Sequence, residues 1–75
     1  MPDTLDAQGL KCPLPVLRAR KRLGTLAAGD TLTVLATDPA APRDFRAFCE
    51  ASGAELVSEG QHDGIYTIVI RAPGG

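Results

Sequence analysis

Two prolines one residue apart, Pro13 and Pro15, follow Cys12 and constrain the local fold more than any other feature of the chain. Proline is excluded from a helix interior, but it fits the first helical turn, where backbone N–H groups have no intrahelical partner. The run that follows, residues 16–26, is rich in helix formers. The sequence therefore predicts a helix over residues 13–26, with Cys12 as its N-cap residue.

The predicted position of Cys12 favours a reactive thiol. At a helix N-terminus the sulfur would lie near the positive end of the helix dipole and near free N–H groups. Together with the neighbouring Lys11, these features predict a lowered thiol pKa and a larger share of the nucleophilic thiolate. The alternative is a small buried residue, the commonest fate of a free cysteine, but a loop–helix junction beside a lysine favours exposure.

Apolar periodicity divides the chain into alternating strands and helices. The strongest strand signal places Leu32, Val34 and Ala36 on one side of a strand. A second helix opens near Pro42 and stops at Gly53, as is typical of proline and glycine at helix boundaries. The predicted elements are strand 4–7, helix 13–26, strand 31–37, helix 42–52, strand 55–59, turn 60–64 and strand 65–71.

The order β-α-β-α-β-β predicts an α+β fold, a two-layer α/β sandwich with two helices on one face of a four-stranded mixed sheet. The last two strands are expected to form an antiparallel hairpin with a longish loop. Each helix carries one apolar stripe. The stripes consist of Val16, Ala19, Leu23 and Leu26, widened by Leu17, and of Phe45, Phe48, Cys49 and Ser52. Cys49 is therefore predicted to fill the core.

A length of 75 residues predicts one domain over 1–75 with a small core, whose tail at 72–75 is expected to be mobile. Such a core leaves little room for a deep cavity, which favours chemistry at the surface or shared with a partner. No apolar run is long enough to span a bilayer, and the N-terminus has no basic region followed by an apolar stretch. We therefore expect no membrane association and a cytoplasmic location.

The chain has two cysteines and one histidine, and their wide spacing matches no zinc-ligand pattern, so no metal is expected. A structural disulfide is not favoured in a reducing cytosol. His62 lies in a distant hairpin loop, and a domain this small does not readily supply the cleft and orienting residue that a Cys–His hydrolase needs. Asp38 and Asp44 flank a proline-containing turn, and turn and helix-start roles are adequate for both.

Basic residues are concentrated near Cys12, although the formal net charge is only −1. The stretch 11–22 has no acidic residue and contains Lys11, Arg18, Arg20, Lys21 and Arg22. This face is either a solvated helix surface or a docking surface for an acidic partner or RNA. A nucleic-acid-binding or regulatory module is thus the alternative function, but few aromatics and no GXXG or RNP pattern make direct nucleic-acid binding unfavoured.

The C-terminal pair Gly74-Gly75 suggests a different sulfur chemistry. Ubiquitin-like sulfur carriers also end in two glycines and hold sulfur as a C-terminal thiocarboxylate. Their fold begins with a β-hairpin before the main helix, whereas this sequence predicts a single strand before the first helix. A terminal glycine pair is also common in simple mobile ends, so the tail by itself is weak evidence.

Taken together, several segments resemble the TusA family, also called SirA-like. They are Leu5-Asp6, Gly9-Leu10, Cys12-Pro13-Leu14-Pro15, Asp38-Pro39, and Arg43-Asp44 followed by Phe48-Cys49. The Gly-Leu-x-Cys-Pro-x-Pro stretch is specific, and the resemblance extends from Thr4 through the final strand. It implies the same two-layer β-α-β-α-β-β fold that the periodicity predicts.

The resemblance also implies a function. Cys12 matches the family cysteine that carries a persulfide, so the protein would be a sulfurtransferase acting as a relay, without a cofactor of its own. Sulfur would come from a pyridoxal-phosphate cysteine desulfurase or a rhodanese-type donor. It would pass to an acceptor protein in tRNA thiolation, molybdenum cofactor assembly or sulfur oxidation. We interpret Pro13 and Pro15 as conformational residues, and expect partners to dock on Lys11, Arg18, Lys21 and Arg22.

Overall fold

The structure is a computed structural model that describes residues 3–74. Gly75, the last residue of the predicted tail, lies outside the described residues, as do the first two residues of the predicted domain. The elements follow the predicted order, β-α-β-α-β-β. They are β1 (Asp3–Ala7), α1 (Leu14–Leu23), β2 (Thr31–Ala36), α2 (Ala41–Ser52), β3 (Glu55–His62) and β4 (Ile65–Arg71).

The strands form a four-stranded mixed sheet in the order β1-β2-β4-β3. The β1–β2 pair is parallel, because α1 carries the chain back across the sheet between these two strands. The β2–β4 and β3–β4 pairs are antiparallel. Both helices pack on the same face of the sheet, which confirms the predicted two-layer α+β fold.

The core lies between the helices and the sheet, where the central strands contribute alternate residues. In β2 the residues Leu32, Val34 and Ala36 are fully buried, as the sequence predicted. From the helix layer, Ala19 and Phe45 are also fully buried. This one-sided burial holds both helices against the sheet and so determines where each helix N-terminus lies.

The loop of the β3–β4 hairpin is shorter than the sequence predicts. β3 continues through His62, so only Asp63 and Gly64 connect the strands, and the predicted loop over 60–64 is wrong in length. Asp63 has φ 52° and Gly64 has φ 78°, the positive values that a two-residue type I′ turn requires. The polar run before the turn forms a strand because it pairs with β4 along its whole length.

The first helix is shorter than predicted, and a different set of its residues faces the core. It begins at Leu14 and ends at Leu23 rather than spanning 13–26. Thr25 and Leu26 then donate to the carbonyls of residues three positions earlier, at 3.0 Å each, which closes the helix in a tighter turn. Leu17 is 51% exposed and does not widen the apolar stripe. Pro15 is buried instead, so this proline packs in addition to shaping the backbone.

The described structure continues past β4 into the predicted tail. The N–H of Ala72 donates to the carbonyl of Asp30 at 2.8 Å, and the N–H of Gly29 donates to the carbonyl of Ala72 at 3.1 Å. Ala72 is also buried. The hydrogen bonding between the two central strands, β2 and β4, therefore extends to Ala72, the first residue of the predicted tail.

Candidate functional site

The loop between β1 and α1 carries Cys12 and is held by short backbone contacts. The N–H of Leu10 donates to the carbonyl of Ala7 at 3.2 Å. Gly9, at φ 81°, uses the left-handed conformation that glycine adopts without a Cβ penalty. Its N–H donates to Oγ1 of Thr37, just after β2, at 2.9 Å. These contacts fasten the loop to the ends of the two parallel strands.

Cys12 lies one residue before the helix cap rather than at it. The N-cap residue of α1 is Pro13, and Pro15 lies in the first turn. The Cys12–Pro13 peptide bond is cis. The N–H of Leu14 donates to the carbonyl of Lys11 at 2.9 Å, so a turn encloses Cys12. The Cys12 side chain is exposed at this junction, as the sequence favoured.

Two aspartates reach Cys12 from distant parts of the chain. Oδ2 of Asp38 accepts a hydrogen bond from the backbone N–H of Cys12 at 2.6 Å, although the residues are 26 positions apart. The thiol of Cys12 donates to Oδ2 of Asp44, 32 positions away, in the first turn of α2. Asp38 also accepts from the N–H of Ala40 at 2.9 Å. One carboxylate therefore holds the backbone at Cys12 and the other holds its sulfur.

These aspartates reverse the electrostatic prediction for the thiol. The hydrogen bond to Asp44 raises the pKa of Cys12, and desolvation together with the charges of Asp44 and Asp38 acts in the same direction. Arg43 opposes this effect. The predicted lowering of the pKa of Cys12 is therefore wrong, and the contacts at this site favour the thiol over the thiolate.

The helix terminus does not compensate because it presents few donors. Two of the positions that open α1, Pro13 and Pro15, have no N–H group. The N–H of Leu14 is already used by the carbonyl of Lys11. The charge of Lys11 acts on Asp38, whose pKa is lowered mainly by the N–H groups of Ala40 and Cys12. The carboxylate of Asp38 therefore remains negative beside the sulfur.

A hollow lies next to the loop that precedes Cys12, and one of its lining residues, Asp38, accepts the hydrogen bond from the Cys12 backbone N–H. It has a volume of about 260 Å³ and is lined by Gly9, Leu10, Lys11, Thr37, Asp38 and Pro39. It lies where the C-terminal ends of β1 and β2 meet, because these parallel strands end at the same edge of the sheet. Lys11 and Asp38 therefore connect this hollow to Cys12 through the backbone.

The predicted docking residues fall into two groups. Lys11, Arg18 and Lys21 have exposed side chains. Arg22 is instead half-buried, and its Nη1 donates to Oδ2 of Asp3 at 2.9 Å. The Arg22 side chain is therefore less available for docking than predicted, because it ties α1 to β1.

Two exposed leucines lie beside these exposed cations; of the two, the sequence placed Leu17 on the buried stripe and gave Leu14 no role in the core. Leu14 is 43% and Leu17 is 51% exposed. They line a shallow hollow of about 400 Å³ together with Arg18 and Lys21. We call these four residues the α1 surface. The sequence signal that could have revealed this surface is that Pro15 and Leu17 do not lie on the same face of one short helix, so only one of them can face the core.

The remaining chemical candidates lie away from Cys12. Cys49 is 7% exposed and packs in the core, which confirms its predicted role. His62 lies in the hairpin, where its Nε2 is 3.2 Å from Oδ2 of Asp63. Over residues 3–74 no three side chains of the His, Cys, Asp and Glu types converge as a metal site would require. In the same range no helix has the length and apolarity to cross a membrane.

Fold and site define a class: a small two-layer α+β protein that presents one cysteine at the entrance to its first helix. The family model described as Sulfurtransferase TusA matches residues 3–72. A SirA-like protein from Desulfitobacterium hafniense has the same fold, with a TM-score of 0.84, 33% sequence identity, and coverage of 95% of this chain and 97% of that chain.

Relatives in sequence agree with this class. A provisionally named sulfur carrier protein of Neisseria meningitidis serogroup A is 54% identical over 69 residues, covering 92% of this chain and 93% of that protein. The sulfur carrier protein TusA of Allochromatium vinosum is 45% identical over 67 residues, covering 89% and 88%. The chain belongs to the TusA family of sulfur carriers, and the resemblance seen in its sequence is confirmed.

Proposed function

We propose that this protein carries sulfur as a persulfide on Cys12, accepting it from a cysteine desulfurase or a rhodanese-type donor and passing it to an acceptor protein. The observation that carries this proposal is the exposed thiol of Cys12, fixed at the loop–helix junction by Asp38. A relay needs a sulfur that two enzymes can reach in turn, and the exposed position of Cys12 allows this access. Family membership supports sulfur transfer in general.

The chemistry is a balanced thiol–persulfide exchange. The sulfur of Cys12, after losing its proton, attacks the outer sulfur of the donor's persulfide. A new S–S bond forms at Cys12 while the donor's S–S bond breaks, and the donor cysteine leaves with the electron pair and takes up a proton. One thiol and one persulfide give one persulfide and one thiol, so no external oxidant or reductant is needed. Delivery repeats the exchange with the acceptor as attacking thiol.

We propose that the α1 surface, with Lys11, is the docking site for these partners. Leu14 and Leu17 supply exposed apolar area of the kind that protein interfaces bury at their centre. Arg18, Lys21 and Lys11 supply positive charge next to Cys12, which would steer an acidic partner toward the sulfur. Pro13 and Pro15 position the cysteine relative to this surface and take no part in the chemistry.

The wider setting is also a proposal. Both cysteines are free thiols, which suits the reducing cytoplasm. The acceptor would be a protein thiol in tRNA thiolation, molybdenum cofactor assembly or sulfur oxidation, the routes that the family resemblance implies. A pull-down with the Cys12→Ser chain, which keeps the α1 surface but cannot accept sulfur, would identify the donor and acceptor that bind to it.

The proposal is tested by incubation with a cysteine desulfurase and cysteine, followed by intact-protein mass measurement. We expect the mass of one added sulfur atom, its loss in Cys12→Ser, and its retention in Cys49→Ala. An adduct that persists in Cys12→Ser and disappears in Cys49→Ala would contradict the site assignment.

Docking is tested with two exposed apolar positions. Leu17→Ser should slow loading by the desulfurase, while loading by a small-molecule persulfide stays unchanged. Val57, 40% exposed on β3, provides the matched control, and Val57→Ser should behave like the unchanged chain in both assays. Equal rates for the two variants with the desulfurase would exclude the α1 surface as the docking site.

A further inference from the structure

The contact between Cys12 and Asp44 has a chemical consequence beyond holding the side chain. The thiol donates to Oδ2 of Asp44, whose side chain is 22% exposed. Nε of Arg43 lies 3.9 Å from Oδ1 of Asp44, but the Arg43 side chain is 79% exposed. Water therefore screens this cation, and the charge of Asp44 is only weakly offset.

The proton of this hydrogen bond belongs to the sulfur. A carboxylate is a much weaker base than a thiolate. Asp44 therefore accepts a hydrogen bond without removing the proton. It stabilises Cys12 as long as the sulfur has a hydrogen to donate.

We propose that Asp44 is a positioning residue that stabilises the empty thiol form of Cys12 relative to the persulfide form, so that the carrier releases sulfur readily. This inference rests on the proposed persulfide function. Delivery converts Cys12-SSH and an acceptor thiol into Cys12-SH and an acceptor persulfide. Only in Cys12-SH does the sulfur attached to the cysteine Cβ carry a hydrogen that it can donate to Asp44. Transfer to the acceptor restores that hydrogen bond, and loading breaks it.

The local charges act in the same direction. A persulfide is more acidic than its parent thiol, so the loaded group is the more anionic one at neutral pH. It faces Asp44 from α2 and Asp38 from the β2–α2 loop, and like charges at this range disfavour the anion. The opposing cations are Arg43, beside Asp44, and Lys11, which acts on Asp38. Neither forms a direct contact with the sulfur among those described.

The test is an exchange equilibrium with glutathione persulfide and glutathione at a fixed ratio, read as the loaded fraction by intact-protein mass. Asp44→Asn removes one negative charge, and Glu50→Gln removes one from the same helix, about 9 Å further along the axis at 1.5 Å per residue. We expect the exchange constant for loading to rise on the order of threefold in Asp44→Asn. Glu50→Gln should match the unchanged chain.

A second measurement separates this role from a merely structural one. The rate of alkylation of Cys12 by iodoacetamide, followed against pH, should shift toward lower pH in Asp44→Asn and not in Glu50→Gln. Asp44→Glu, which keeps the carboxylate, should lie near the unchanged chain. Unfolding curves of all variants report whether they are folded.

The outcomes distinguish the two proposals. If the unchanged chain gains sulfur on Cys12 but Asp44→Asn shows the same exchange constant and the same pH profile, the role of Asp44 is overturned and the carrier function stands. If the unchanged chain gains no sulfur from either the desulfurase or glutathione persulfide, the carrier function itself fails.

Discussion

Cys12 and Cys49 carry the same side chain, and both have a thiol pKa raised above its usual range, yet the causes differ. At Cys12 the hydrogen bond to Asp44 is the main cause, in an exposed position. At Cys49 the cause is burial in the core. The first cause depends on one contact at the surface, while the second lasts as long as the fold.

The difference shows how one fold keeps one cysteine available and another inert. α2 supplies both effects: its first turn presents Asp44 to Cys12, and its last turn buries Cys49 beside Phe45. A thiol whose pKa depends on a single side chain can be altered by a local change at that side chain. A thiol controlled by packing cannot, and the four experiments below test this contrast.

The largest expected effect is selectivity of alkylation in the native protein. Iodoacetamide should modify Cys12 at least roughly a thousandfold faster than Cys49, because reaction at Cys49 requires an opening that costs about 5 kcal/mol in a marginally stable domain. Peptide mapping of the modified protein measures both rates. In urea the two rates should converge, and comparable rates under native conditions would contradict the burial of Cys49.

The next effect concerns stability. Cys49→Ser should lower the free energy of unfolding by about 1–3 kcal/mol, because it places a hydroxyl among apolar neighbours. Cys12→Ser should leave it nearly unchanged, since an exposed hydroxyl can donate to Asp44 in place of the thiol. Urea denaturation followed by circular dichroism gives both values. Equal losses for the two variants would remove the contrast between the sites.

A smaller effect concerns the positive charge on the α1 surface near Cys12 and its influence on the rate of sulfur loading. Lys21→Gln should slow sulfur loading by a desulfurase about two- to fivefold at low ionic strength, and less in added salt, because it removes steering charge from the α1 surface. Gln61→Glu, on the hairpin, changes the net charge by the same amount. If both variants slow loading equally, net charge rather than the α1 surface determines the rate.

The smallest effect is the dependence of stability on pH. Both thiols have a raised pKa in the folded state, so their contribution is complete below the unfolded-state pKa of about 8.5 and declines as pH rises through the folded-state values. The free energy of unfolding should therefore fall above pH 8. Asp44→Asn should remove the part due to Cys12 and leave the part due to Cys49. A curve unaffected by Asp44→Asn would contradict this partition.

Much of the fold follows from local patterns. β4 spans the predicted residues, 65–71, because most of its residues are β-branched and favour a strand. The end of β3 was missed because its polar residues have no strand preference of their own and adopt one by pairing with β4. The end of α1 was placed three residues late, because Leu26 still packs against the core after the helix has closed.

The site was only half visible in the sequence. Cys12 and its prolines could be found, because proline restricts its own neighbourhood. Asp38 and Asp44 were interpreted as turn and helix-start residues, and both do have such roles. Their second role, at Cys12, depends on where α2 starts relative to α1, which no short-range pattern encodes. The wrong direction for the pKa of Cys12 follows from that omission.

The sequence by itself determined the order of the elements, the family and the cysteine at the entrance to the first helix, because these depend on local geometry and periodicity. Only the tertiary structure decided the direction in which the pKa of that cysteine is shifted. The sulfur meets a carboxylate 32 positions away, brought there by the packing of two helices on one sheet. Cys-Pro-Leu-Pro places the thiol at the surface, and the hydrogen bond to Asp44 raises its pKa.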